Sequence, residues 1–196
     1  MNFPLSSWLA LSALGLFVAC DRGPTVDVRG EGASDRADAL ERVMLDVDRR
    51  YPTVEQMPVA SLDEKLARRD RIVLLDVRED VEFAVARLAG ARRVAPDSDS
   101  DQVSALAGPD INGATVVFYC SVGERSSRMA KRASKTLLAR GAAAVYNLRG
   151  GIFAWHNAER ALVDARGKTD LVHPYNDRWG ELLVFRERLA KKPRAE

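Results

Sequence analysis

Cys120 follows the run Thr115-Val116-Val117-Phe118-Tyr119 and precedes Ser121-Val122-Gly123-Glu124-Arg125, so it stands where a buried strand ends and a short loop leads into a helix. A loop of that kind points successive backbone N–H groups inward, and the helix start adds positive potential. The setting favours a thiolate and an anion held over it. Gly123 lets the backbone turn tightly, and Arg125 supplies a fixed cation. Nucleophile and anion site then come from one loop: Cys120 attacks, and Ser121, Val122, Gly123, Glu124, Arg125 and Ser126 form the substrate cradle. A cysteine without that context is usually an inert core residue. The loop, helix start and arginine immediately downstream argue for chemistry.

A second group of charges falls at another strand end. Ile72-Val73-Leu74-Leu75-Asp76-Val77 is apolar without alternation, as expected for a strand buried on both faces of a parallel sheet, and it closes with Asp76-Val77-Arg78. Ligands of open α/β sheets bind beyond the carboxyl ends of the strands, so Asp76, Arg78 and Cys120 are expected at one edge. A third run is Ala144-Val145-Tyr146-Asn147-Leu148. Before it, Ser127 to Arg140 sets Met129, Ala130, Ala133, Leu137 and Leu138 on one helical face and stops at Gly141. Strand, helix, strand at this spacing is a right-handed crossover. Upstream, Asp35 to Arg50 repeats Ala37, Leu40, Val43, Met44 and Val47 at helical spacing, and Pro52 ends it. Ser61-Leu62-Asp63-Glu64 has the form of a capping box opening a short helix that ends near Arg69. The fold class is α/β, with a mainly parallel central sheet flanked by helices.

Composition narrows the function. With 196 residues, 46% apolar and 30% charged, the chain suits one domain with a full core and short extensions. Thirty basic residues nearly cancel 28 acidic ones, with no Lys/Arg block beside aromatics, so no nucleic-acid partner is expected. Two cysteines, Cys20 and Cys120, can build neither a disulfide framework nor a thiolate metal cluster. The two histidines, His156 and His173, lack a sequence partner for a metal site or a Cys–His dyad.

The N-terminus reads as an address. Residues 3–19 carry no charge, and Trp8 to Ala19 is apolar but short for a bilayer span of about 20 residues. A small residue directly before Cys20 resembles the lipobox of bacterial lipoproteins, which implies cleavage there and a lipid on the Cys20 thiol. An uncleaved, slightly short anchor or a wrongly chosen start codon is the alternative, and the lipoprotein and anchor readings both place the domain outside the cytoplasm. The expected layout is a signal peptide over 1–19, a tether over 20–34 rich in Gly, Pro and charge, an N-terminal helix over 35–54, the catalytic domain over 55–158, and a C-terminal extension over 159–196. In that extension Trp179, Leu182, Leu183, Val184 and Leu189 predict a helix from Asp177 to Ala190, packing on the domain or covering its site. Location would be the bacterial cell envelope, lipid-anchored and facing the periplasm or exterior.

Three segments together resemble the rhodanese family over roughly residues 55 to 158. They are Asp76-Val77-Arg78 with Glu82-Phe83 and Leu88-Ala89-Gly90-Ala91; Tyr119 to Ser126; and Val145 to Trp155 with Gly150-Gly151. The resemblance implies a rhodanese-like fold and a sulfurtransferase that moves a sulfane sulfur from a donor such as thiosulfate to a thiol or cyanide acceptor through a Cys120 persulfide. It implies no metal or organic cofactor. It also implies that Asp76 and Arg78 order the active-site loop, although a strand-end ion pair with a folding role is an equal reading of those two residues. Gly150 and Gly151 would serve a tight turn, and Phe153 and Trp155 the core. The chain departs from the family at Ala86-Arg87, where Gly-His is common, and at Glu124, whose charge beside the cradle opposes a thiolate and a bound dianion. That departure widens the expected donor from thiosulfate to sulfane sulfur in general.

Two other readings share the loop. Cysteine phosphatases and arsenate reductases also use a thiolate in an anion loop, but the phosphatase loop has five residues between Cys and Arg, and here there are four. A non-turnover sulfur carrier, thiol sensor or interaction module on the same scaffold would retain Cys120 without turnover. The oligomeric state is not readable.

Overall fold

The computed structural model describes residues 28–194. The signal peptide, Cys20 and the first part of the tether lie outside the described residues. The elements, in chain order, are α1 (Val28–Arg50), β1 (Gln56–Met57), α2 (Val59–Ala67), β2 (Ile72–Asp76), α3 (Asp80–Val85), β3 (Arg92–Arg93) and α4 (Ser100–Ala107). Then come β4 (Thr115–Tyr119), α5 (Glu124–Ala139), β5 (Ala144–Leu148), α6 (Gly151–Asn157), β6 (Leu162–Asp164), β7 (Gly167–Thr169) and α7 (Asp177–Gly180).

Five strands pair in the order β1-β5-β4-β2-β3, every pairing parallel. The unalternated apolar runs have the burial they imply. Leu74, Val117, Tyr119 and Leu148 pack into one layer with Leu62 and Phe153, whereas Val73, Leu75, Val116, Phe118 and Val145 pack into the other with Met129 and Leu137. The three central strands, β2, β4 and β5, thus feed two cores, which their period of two demands once both faces are covered. Register sets Asp76 beside Tyr119. Arg78 and Cys120, each just past those residues, therefore leave the sheet at the same edge, as expected.

Several boundaries differ from the sequence reading. Helix α1 reaches back to Val28, into the stretch read as tether, because a formed helix adds one bond for each further residue fixed. Helix α2 starts at Val59, with Pro58 at its cap and the Pro58 carbonyl accepting the Leu62 N–H at 3.1 Å, so Ser61 sits inside the first turn and caps nothing. Capping boxes form instead at Glu79/Glu82 and Asp99/Gln102. On α5, Leu138 is 48% exposed while Met129, Ala130, Ala133 and Leu137 are buried.

The helix expected from Asp177 to Ala190 does not form. Only α7 and a 3-10 turn over Arg186–Arg188 are helical there. Asn157 competes for the backbone: its Nδ2 donates to the Leu182 carbonyl at 2.9 Å and its Oδ1 accepts the Val184 N–H at 3.0 Å. Val172 and Leu189 then bridge. The extension is a hairpin and a clamped loop, not a helix. Leu162, Val172, Leu182 and Leu183 of the extension are buried. Arg87, a departure from the family pattern, exchanges two backbone bonds of 2.9 Å with Val163 and so ties the extension on.

Candidate active site

Cys120 ends β4 and is almost fully buried. Its sulfur accepts the Gly123 N–H at 3.2 Å, a bond possible because Gly123 adopts φ +100°, which L side chains avoid. Helix α5 starts at Glu124, three residues before the Ser127 at which the sequence pattern begins, so the loop proper is only Ser121-Val122-Gly123. The leading N–H groups of α5 have no carbonyl partner one turn back, as at any helix N-terminus. They and the helix dipole give the cradle its positive potential.

The loop is braced from below by α6. Ile152 N–H donates to the Cys120 carbonyl at 2.8 Å and Phe153 N–H to the Ser121 carbonyl at 3.0 Å. This close approach requires glycine: a Cβ on Gly151 would lie 2.7 Å from the Ser121 oxygen and nearer still to the Cys120 oxygen, at a φ of +58°. Gly150 and Gly151 therefore do more than turn the chain, while Phe153 and Trp155 are core, as expected.

From the side the loop is held by Glu82, a residue the sequence reading quoted but gave no role. Its carboxylate, 1% exposed, accepts the Ser121 hydroxyl at 2.9 Å and both arms of Arg125 at 2.9 Å, and Arg125 also donates to Ser121 Oγ at 3.0 Å. Burial alone would raise the Glu82 pKa, but the Arg125 fork, the Glu79 N–H and Arg78 hold it below the ordinary 4.5. Burial likewise works against the Arg125 charge, which Glu82 and Cys120 over-compensate. The fixed cation read from the sequence is thus also a paired one, held by Glu82. Its charge is shared with a carboxylate 43 residues away in sequence.

Asp76 and Arg78 do not bond the loop. Arg78 grips Asp76 at 2.8 and 2.6 Å and the Ala86 carbonyl at 2.6 Å, and both side chains are fully enclosed. The reading as a strand-end ion pair fits this geometry, and the loop-ordering assigned to them falls to Glu82. The Tyr119 hydroxyl beside the pair accepts the Leu88 N–H at 3.2 Å, and its pKa is pushed up by burial and Asp76.

Glu124 was expected to oppose the anion. Its carboxylate is instead engaged by α1 and the turn after it: Arg50 donates at 3.0 Å and the Tyr51 hydroxyl at 2.9 Å. Ser126, placed in the cradle by sequence, is fully buried with its hydroxyl unpartnered, and neither it nor Gly123 lines the cavity above Cys120.

That cavity holds about 170 Å³ and is lined by Cys120, Ser121, Val122, Glu124 and Arg125, with Tyr175 and Trp179 from the extension. Tyr175 lies over Arg125, the guanidinium carbon 4.9 Å from the ring centroid. It sits at φ +64°, a strained conformation for a tyrosine, held by its N–H donating to His173 Nδ1 at 3.0 Å. His173 is thus a positioning group, and burial lowers its pKa. His156 is buried with its Nε2 3.0 Å from the Asp170 carbonyl, consistent with an ordinary hydrogen-bonded histidine. Among the described residues no group of acidic, histidine or cysteine side chains could hold a metal ion. Glu82, Tyr175 and the α1 contacts were missed by sequence, while Trp179 was read as part of a helix packing on the domain or covering its site. The detectable signals were a glutamate amid Val81, Phe83 and Val85, and aromatics in a turn-rich tail.

Comparison with known proteins places these features in context. A family model described as Rhodanese-like domain matches residues 59–158. A sulfurtransferase from Allochromatium vinosum is 30% identical over 114 residues, 58% of this chain and 99% of that protein. An uncharacterized protein from Synechocystis is 28% identical over 95 residues, and the chain spans 49% of that relative's length. Among solved structures, a thiosulfate sulfurtransferase from Pseudomonas aeruginosa aligns with TM-score 0.47 at 19% identity, covering 68% of this chain and 23% of that one. A rhodanese-like domain protein from Staphylococcus aureus aligns with TM-score 0.41 at 24% identity, covering 52% and 91%.

Proposed function

Because the chain belongs to the rhodanese-like domain family, we propose that it is a sulfurtransferase in which Cys120 carries the sulfur as a persulfide. The observation that carries this reading is the Cys120 sulfur at a strand end, bonded at 3.2 Å by the Gly123 N–H beneath a small cavity. The Cys120 thiolate attacks the outer sulfur of a sulfane donor. The donor's S–S bond breaks, and its electron pair leaves on sulfite when the donor is thiosulfate. The terminal persulfide sulfur, now anionic, faces the α5 N–H groups. A thiolate or cyanide then attacks that sulfur, and the electron pair returns to Cys120.

The pairing of Arg125 with Glu82 supports donors beyond thiosulfate. With Arg125, the one cation lining the cavity among the described residues, already shared, a dianion gains little over a less charged polysulfide. Steady-state turnover tests the reading: sulfur transfer from thiosulfate or a polysulfide to cyanide, read as thiocyanate, is expected for the wild type and lost in Cys120→Ser. Equal rates in both proteins would overturn it.

Lipid anchoring through Cys20 belongs to the same proposal and supports an envelope location. Among the described residues no helix is long and apolar enough to cross a membrane. Expression in a bacterial host with a labelled fatty acid should mark the full chain and not Cys20→Ala. Label on both would reject the anchor.

A further inference from the structure

The two segments outside the family match come together beside the site. Helix α1 and the extension line a groove of about 520 Å³, with Val43 and Val47 on one side and Trp179 and Leu182 on the other. Glu124 and Trp179 line both this groove and the Cys120 cavity, so the two spaces adjoin. Their sizes differ in kind. The cavity admits a small donor, whereas the groove falls within the roughly 300–1,000 Å³ of sites for larger ligands.

Charge in the groove is unevenly spent. Its two carboxylates, Asp46 and Glu124, are both engaged by Arg50. Arg42 and Arg178, also in the lining, are exposed and have no ion-pair partner among the described residues. An apolar floor with two uncommitted guanidinium groups fits an elongated molecule bearing carboxylates.

We propose that this groove binds the body of the sulfur acceptor, and that the acceptor is an anionic thiol of peptide size. The inference rests on the sulfurtransferase reading of Cys120. The carboxylates pair with Arg42 and Arg178 while the thiol passes Trp179 into the cavity. There its thiolate bonds to the terminal sulfur of the Cys120 persulfide, the persulfide S–S bond breaks, and the electron pair returns to the Cys120 sulfur. The acceptor leaves as its own persulfide.

The test compares glutathione with its diethyl ester, the same thiol without carboxylates, as acceptors for the wild type and for Arg42→Ala/Arg178→Ala. The wild type is expected to show a lower KM for glutathione. The double variant should raise that KM about three- to tenfold and leave the KM for the ester and for cyanide unchanged. Equal KM values for the two thiols in the wild type, or an equal rise for both in the variant, would overturn the proposal. Sulfur loading of Cys120 from thiosulfate or a polysulfide, followed by intact mass, reports separately on the reading beneath it. Loading without a charge preference rejects the groove alone, and no loading rejects both.

Discussion

Two arginine–carboxylate pairs sit at neighbouring strand ends, and they differ in access more than in chemistry. Arg78 and Asp76 are sealed, and the described hydrogen bonds of the Arg78 side chain go to Asp76 and the Ala86 carbonyl. Arg125 and Glu82 are joined just as closely, yet the arginine keeps 17% of its side chain exposed, faces the cavity above Cys120 and shares its partner with Ser121. A sealed pair mainly fixes where the chain leaves β2. An open one fixes the shape of the loop that carries the nucleophile. Charge and strand position, the features visible in sequence, do not separate these roles.

The sharpest way to break the comparison is Arg78→Ala. It leaves Asp76 buried and unpaired and should cost about 3–5 kcal/mol in denaturant unfolding, while the protein that remains folded keeps its rate per molecule. A large loss of rate without a loss of stability would return Asp76 and Arg78 to the loop-ordering role.

Glu82→Gln should have the smaller effect on stability, about 1–3 kcal/mol, and the larger one on rate, since Arg125 loses its charged partner and one of the two acceptor oxygens becomes a donor facing it. It also has a pH signature. The folded pKa of Glu82 lies below its ordinary 4.5, so its contribution is complete above that value and is lost as pH falls through the depressed one. Unfolding midpoints measured from pH 6 downward should therefore fall less steeply for Glu82→Gln than for wild type. Parallel slopes would mean the carboxylate is not held by Arg125 in solution.

Tyr175→Ala is the mildest. The ring over Arg125 is worth about 0.5–1 kcal/mol, and the strain at φ +64° stays with alanine and so cancels from the difference. Alkylation of Cys120 by iodoacetamide should quicken as the cavity opens, with the unfolding midpoint nearly unchanged. An unchanged alkylation rate would show that Tyr175 does not restrict access.

The strands were legible because their residues state their own burial: β4 and β5 have the bounds their apolar runs give, and β2 differs by one residue. Cys120 was legible from its neighbours. The partners of its loop were not, because Glu82 reaches Arg125 across 43 residues and Arg50 reaches Glu124 across 74. A charge in sequence shows its sign but not what neutralises it. The extension misled for a similar reason. Trp179, Leu182 and Leu183 do repeat at helical spacing, but one side chain, Asn157, takes both a donor and an acceptor from the backbone that a helix would need. Such competition becomes visible only once the fold is assembled.

The central claim is that Cys120 accepts sulfur and gives it up again. Intact-mass spectrometry of the purified chain after exposure to thiosulfate or a polysulfide measures this directly. The expected result is a gain of one sulfur atom, absent in Cys120→Ala and reversed by added thiol. No gain with any sulfane donor, or an equal gain in Cys120→Ala, would contradict it.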